Sequence, residues 1–210
     1  MEYTKKLTAL QKGLSLIESA MVLAISAAVI SGVLYYYNQT QENRELEEGI
    51  KQIQTIAATI NKLYSNSVTP PAEGNADGAT IDAIASVSGL KTAQDGNKKV
   101  FVSATGKHTQ LEWRSNWDNT NQNRRVAVLG THARSVSSCM SYATLNLGTL
   151  MASKTRVSHG GNWIDSNHES NKLEKPYYLS PSEASEHCKS AYDKMNKNGQ
   201  SIIIYYAIMY

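Results

Sequence analysis

From Leu14 to Tyr37 the sequence carries a single charged residue, Glu18, in about 24 consecutive positions, whereas roughly 20 suffice to cross a bilayer as a helix. The start of the chain is therefore constrained to an apolar helix that suits lipid or neighbouring helices. A secretory signal peptide would place a small-residue cleavage site after a shorter apolar core. Here the natural cut, in Lys12-Gly13-Leu14, comes before the apolar run and would leave that run in the mature chain.

After Tyr37 the pattern turns amphipathic. Leu46, Ile50, Ile53, Ile56, Ala57, Ile60, Leu63 and Tyr64 recur at three- and four-residue spacing, which puts them on one helical face. No Pro occurs before Pro70, so the spacing predicts one helix from about Leu14 to Ser65, roughly 78 Å long at 1.5 Å per residue. Its second half suits a domain packed against one side. Gly32, beside Ser31, is its weak point, since Gly costs about 1 kcal/mol relative to Ala in a helix interior. It reads equally as a place where the helix can stretch and as a small residue that allows close helix packing.

Charge gives the segment a direction. Lys5, Lys6 and Lys12 precede it, and Glu42, Glu45, Glu47 and Glu48 against Arg44 follow it, so the positive-inside rule keeps residues 1–13 cytoplasmic and exports the rest. Of the formal net charge of +3, most belongs to the leader. The remainder is almost neutral and gives no support to a nucleic-acid partner.

The stretch Gly13-Leu-Ser-Leu-Ile-Glu-Ser-Ala-Met-Val-Leu-Ala24 resembles the processing signal of type IV prepilins. Within that family it is most similar to the type IVb class, the bundle-forming pilins above all. Cys139-Met-Ser-Tyr-Ala-Thr-Leu-Asn-Leu-Gly148 and Leu179-Ser-Pro-Ser-Glu-Ala-Ser-Glu-His-Cys188-Lys189 extend the likeness, while residues from about Ser67 to Arg134 match no known pattern. The resemblance implies cleavage by a prepilin peptidase between Gly13 and Leu14, methylation of the new amine on Leu14, and an assembly role for Glu18 with Leu14. It implies an α+β fold: a long N-terminal helix against an antiparallel sheet with additional helices. The expected divisions are a leader at 1–13, the helix at 14–66 with 14–37 as membrane span and fibre core, and a globular domain at 67–210.

Export also gives Cys139 and Cys188 a meaning. They are the chain's two cysteines, with no Cys-x-x-Cys and no closely spaced His to complete a metal site, so an oxidising compartment favours a disulfide between them. Two unrelated buried thiols are the alternative. A bridge across a loop of about 50 residues would stabilise by about 4 kcal/mol in the chain-entropy model.

Elsewhere the sequence is read from local signals. Ser67 to Gly96 is turn-rich and reads as an extended connection, with a short helix over Thr80–Val87. Strands are predicted at Lys99–Ser103, Gln110–Trp113 and Arg125–Leu129, as an antiparallel meander. A helix over Ala133–Leu145 would carry Cys139, and a loop through His159-Gly-Gly-Asn162 leads onward. Ser180-Pro181-Ser182-Glu183 has the form of a capping box with Pro at the first helical position, starting a helix to about Met195. Ser201–Tyr210 is apolar on both alternating faces and suits a strand buried on both sides. The family resemblance implies that this late strand lies centrally in the sheet.

Catalytic chemistry finds little purchase. His108, His132, His159, His168 and His187 stand in polar or turn-like contexts, and Asp165, His168 and Glu169 meet no metal-loop spacing. No catalytic residue, metal or cofactor is assigned, and no enzymatic activity is expected. The resemblance implies a structural subunit polymerising with identical subunits into a surface fibre. Prepilin peptidase, pilus assembly machinery and the inner membrane would be the precursor's partners. A minor pilin, a secretion-system pseudopilin and an exported, anchored binding module are the alternatives.

Overall fold

The computed structural model describes residues 16–67, 69–102, 106, 108–115, 125–160, 162–164, 175–198 and 201–210. The chain divides into two compact units, Met1–Glu42 and Asn43–Tyr210. A single helix, α1 (Leu16–Tyr64), contributes its first part to one and its second part to the other. It ends within a residue of the predicted Ser65 and runs without interruption through Gly32.

Within the second unit, the amphipathic face of α1 is buried as its spacing requires. Ile53, Ile56, Ala57 and Ile60 have no solvent exposure, and Leu46, Ile50 and Tyr64 pack against the same core. Leu63, expected on that face, remains 38% exposed in the helix's last turn. Gln52 is buried there as well, its Oε1 accepting a hydrogen bond from the Thr109 hydroxyl at 3.2 Å.

The sheet against which these residues pack is antiparallel throughout the described residues. Its strands are β1 (Gly74–Asn75), β2 (Lys91–Asp95), β3 (Lys98–Val102), β4 (His108–Arg114), β5 (Val126–Ala133), β6 (Met151–His159), β7 (Asn162–Trp163) and β8 (Ile202–Met209). They lie in the order β2-β3-β4-β5-β8-β6-β7, with β1 pairing beside β4. The predicted meander is β3, β4 and β5, and of its predicted residues Ser103 lies outside those described. The last strand is central: Val126 to Ala133 pair with Met209 to Ile202 on one side, and β6 pairs on the other. Ile202, Ile204, Tyr206 and Ile208 join the main core, while Ala207 joins Val126, Val128 and Ala152 in a second cluster.

Four additions correct the sequence reading. The connection over Ser67–Gly96 holds strands β1 and β2 besides the expected short helix, which is α2 (Gly78–Ser88), and β2 forms a hairpin with β3 that turns at Gly96, φ +60°. Polar β2 is an edge strand, where charged side chains can face water. The segment before the His159 loop is strand β6, and β7 follows it. All nine residues of β6 are buried, Lys154 and Arg156 included, so it shows no apolar alternation to read.

The two remaining helices are α3 (Val136–Ala143) and α4 (Pro181–Asn198). The first is shorter at both ends than expected, because Ala133 is still in β5 and Ser135 is the N-cap. The second begins at the predicted box: the Ser180 amide donates to Glu183 Oε2 at 2.7 Å, and the Glu183 amide donates to Ser180 Oγ at 3.3 Å. It continues through Asn198, three residues past the expected end at Met195.

Candidate assembly helix and disulfide-bearing region

In the first unit the apolar run stands exposed on every side of α1. Thirteen of the sixteen large hydrophobic side chains exposed among the described residues lie between Leu16 and Tyr37. Leu16 is 86% exposed, and Leu23, Tyr35 and Tyr36 each exceed 70%. An 18-residue window of this helix has a mean hydropathy of 2.0 and none of it is buried. Length and composition together suffice for a membrane span.

The serine and threonine hydroxyls of this part of α1 turn back to its own backbone. The hydroxyls of Ser19, Ser26, Ser31 and Thr40 donate to the carbonyls of Leu16, Val22, Ala27 and Tyr36 at 3.3, 2.7, 2.8 and 2.9 Å. A hydroxyl paired in this way carries no unmet donor into an apolar surrounding. Glu18 lies in the first turn of the helix and is exposed, where the helix dipole favours negative charge. Gly13 and Leu14 lie outside the described residues. A Cβ built on Gly32 meets no atom within 4 Å among the described residues, beyond its chain neighbours and the helix's own nearby backbone.

The two cysteines, 49 residues apart in sequence, are joined in a disulfide with Cα atoms 5.8 Å apart. Each is fully buried, Cys139 in α3 and Cys188 in α4. The bridge therefore ties the two helices together, as expected from the sequence. Three further links fix them. The Leu179 amide donates to the Ala143 carbonyl at 3.1 Å, the Tyr206 hydroxyl donates to the Tyr142 carbonyl at 2.8 Å, and Lys154 Nζ lies 3.3 Å from Glu183 Oε1. Burial pushes the Glu183 carboxyl upward, but hydrogen bonds from the Ser180 backbone and side chain, with the Lys154 cation, outweigh it and hold the pKa at about 2.

One contact had no sequence signal. The Tyr142 side chain of α3 lies against α1 at Gly49, and a Cβ there would overlap its hydroxyl. Burial, followed by the negative charge of Glu45, pushes the Tyr142 phenol up to about 12, so it stays a neutral, packed group. The glycine is legible only as a small residue in an apolar stripe. Its partner, distant in sequence, is not.

Of the histidines, His108 lies 3.3 Å from Asp95 at the surface, while His159 and His187 are buried. Asp165, His168 and Glu169 lie outside the described residues. Among the described residues, no group of three or more His, Cys, Asp or Glu side chains could hold a metal ion.

Comparison with known proteins places this architecture. The chain is 30% identical over 195 residues to the major structural subunit of bundle-forming pilus of Escherichia coli O111:H-, covering 89% of this chain and 92% of that protein. It is 30% identical over 189 residues to the protein of the same description from Escherichia coli O127:H6 (strain E2348/69 / EPEC), again covering 89% and 92%. No family model matches the sequence, and no solved structure matches it.

Proposed function

The chain belongs to the bundle-forming pilins of the type IVb class, and we infer from that membership that its function is structural, as the major subunit of a surface pilus. The observation that carries this is the exposed apolar run of α1. Thirteen large hydrophobic side chains cannot remain in water on a stable monomer. Burying each is worth about 1.5–3 kcal/mol, which drives identical helices into a common bundle. The pilus is thus a homopolymer at the cell surface, with α1 as its interior.

Several finer steps belong to this reading. Residues 1–13 are a cytoplasmic leader, residues 14–37 hold the precursor in the inner membrane, and prepilin peptidase removes the leader between Gly13 and Leu14. The new Leu14 amine is methylated, and the assembly machinery passes the subunit into the fibre. Residues 14–66 form the packing helix, and residues 67–210 coat the fibre and meet its surroundings, in adherence, aggregation or mating contact. No catalysis is needed for any of this, and none is proposed for the chain.

The test is the composition of fibres sheared from the cell surface. A major subunit makes up nearly all their protein, and deleting its gene removes the fibres. Recovery of this chain as a trace component of fibres built from another protein would assign it to a minor pilin or pseudopilin. Its recovery as a membrane-anchored monomer with no fibres would favour an anchored binding module.

A further inference from the structure

The three consecutive tyrosines Tyr35, Tyr36 and Tyr37 end the apolar run, and they are 72%, 72% and 64% exposed. Successive residues of an α-helix point about 100° apart, so the three rings fan over about 200° of the helix circumference. A patch meant for one neighbouring helix would instead repeat at three- and four-residue spacing along one face. Three adjacent rings at one axial level fit a planar boundary that surrounds the helix. Their chemistry agrees, because a phenol has an apolar body and a polar tip and settles where hydrocarbon gives way to headgroups.

The flanks define the same boundary. Eight polar residues follow without a break, Asn38-Gln39-Thr40-Gln41-Glu42-Asn43-Arg44-Glu45, and nothing between Leu16 and Tyr37 except Glu18 is charged. The axial distance from Leu16 to Tyr36 is about 30 Å at 1.5 Å per residue, the thickness of a bilayer's hydrocarbon core. We propose that Tyr35, Tyr36 and Tyr37 form a girdle at the outer lipid headgroup boundary of the membrane-held precursor, and so set the depth of the helix. This rests on the membrane-anchored precursor described above. A second consequence follows for Glu18: it lies about 3 Å along the axis from Leu16, at the opposite boundary, where a carboxylate costs far less than at the bilayer centre.

The experiment uses the full chain reconstituted in phosphatidylcholine vesicles, with bromine atoms placed either near the carbonyl end or near the methyl end of the acyl chains. The three native tryptophans, Trp113, Trp117 and Trp163, all lie far beyond the apolar run in sequence, and the unaltered protein gives their baseline. Tryptophan is then introduced by Tyr36→Trp or Ile25→Trp, at helix positions that are 72% and 66% exposed and carry no packing role within the chain. The expected ratio of shallow to deep quenching is above one for the residue at 36 and below one for the residue at 25. Deep quenching at both positions, or at 36 alone, would overturn the girdle while leaving the membrane anchor in place. Absence of added quenching at both would overturn the anchor itself, and the girdle with it. A third variant, Tyr35→Trp, guards against a local disturbance at 36 and is expected to give the same shallow ratio.

Discussion

The hydroxyl of Tyr142 occupies the space that a side chain on residue 49 would need: a Cβ added to Gly49 collides with it and crowds the ring carbon that bears it. Gly49 is thus a notch in α1 that receives α3. Because α3 carries Cys139, the notch, the phenol and the disulfide form one connected support for this part of the domain. Ala is a better helix former than Gly by about 1 kcal/mol, so propensity alone would favour Gly49→Ala. Overpacking costs about 1–3 kcal/mol and wins where the neighbour is buried and cannot withdraw. Gly49→Ala should therefore lower the midpoint of denaturant unfolding, and adding Tyr142→Phe should recover part of the loss. A stabilised Gly49→Ala protein would show that Tyr142 yields freely.

Removing the bridge should cost more. Cys139→Ala or Cys188→Ala is expected to destabilise the globular unit by about 2–5 kcal/mol, because the unfolded chain regains the freedom of a long loop. Limited proteolysis should first cut near α3 and α4, which the bridge ties. Thiol titration of the denatured, unreduced wild-type protein from the cell surface should find no free cysteine. Two free thiols would exclude the bond.

Glu183 makes a pH prediction with a definite sign. Its ordinary value of 4.5 is lowered to about 2 in the fold, so the folded state favours the carboxylate. That contribution is fully present above pH 4.5 and is lost as the pH falls from 4.5 towards 2. Glu183→Gln should lose about 1 kcal/mol at neutral pH, the size of a helix cap, and lose less at acid pH, where the wild type has given up the same charge. Unfolding midpoints measured across this range in both proteins test it. Parallel curves would mean that the charge of Glu183 does not contribute.

What was legible in the sequence divides along a physical line. The stripe of α1, the box at Ser180 and Glu183, and the two-sided apolarity of β8 are signals carried within a few residues, and each element formed where it was read. Strand β6 was not legible because its burial of Lys154 depends on Glu183, contributed by a helix that comes later in the chain. Tyr142 was unreadable for the same reason, since its packing depends on the absence of a side chain at Gly49. Local patterns declare themselves, whereas buried polar groups and notches are defined by partners distant in sequence.

Processing is the most direct test of the leader. Intact-mass analysis with N-terminal sequencing should find Leu14 as the first residue of the mature chain, with one added methyl group. The warrant is the Lys12-Gly13-Leu14 junction ahead of the apolar run. The competing cut after Ser26-Ala27-Ala28 would start the chain at Val29 and discard well over half of that run, and this outcome would end the proposed route of assembly.

Glu18 should govern entry into the fibre. A carboxylate within an apolar helix costs free energy, by a few kcal/mol near the bilayer centre and less towards either boundary, so its presence calls for a compensating interaction. Part of that compensation is local, because Glu18 lies in the first turn of α1 and negative charge is favoured there. The local term does not require a fibre, and if it were the whole account Glu18→Ala would only weaken the helix start. The type IV pilin resemblance implies a second term, in which Glu18 of an incoming subunit would pair with the methylated Leu14 amine of a neighbour. That amine would exist only after removal of Gly13, so the pairing would couple processing to polymerisation and set the axial register. In a packed helical bundle, an unpaired charge costs more than in the membrane-held monomer, where headgroups and water are close. Glu18→Ala should therefore leave cleavage, the Cys139–Cys188 bond and membrane insertion intact while removing fibres seen by electron microscopy. Glu18→Gln separates charge from shape and should fail in the same way. Fibres of normal abundance from either variant would reduce Glu18 to a helix-start residue.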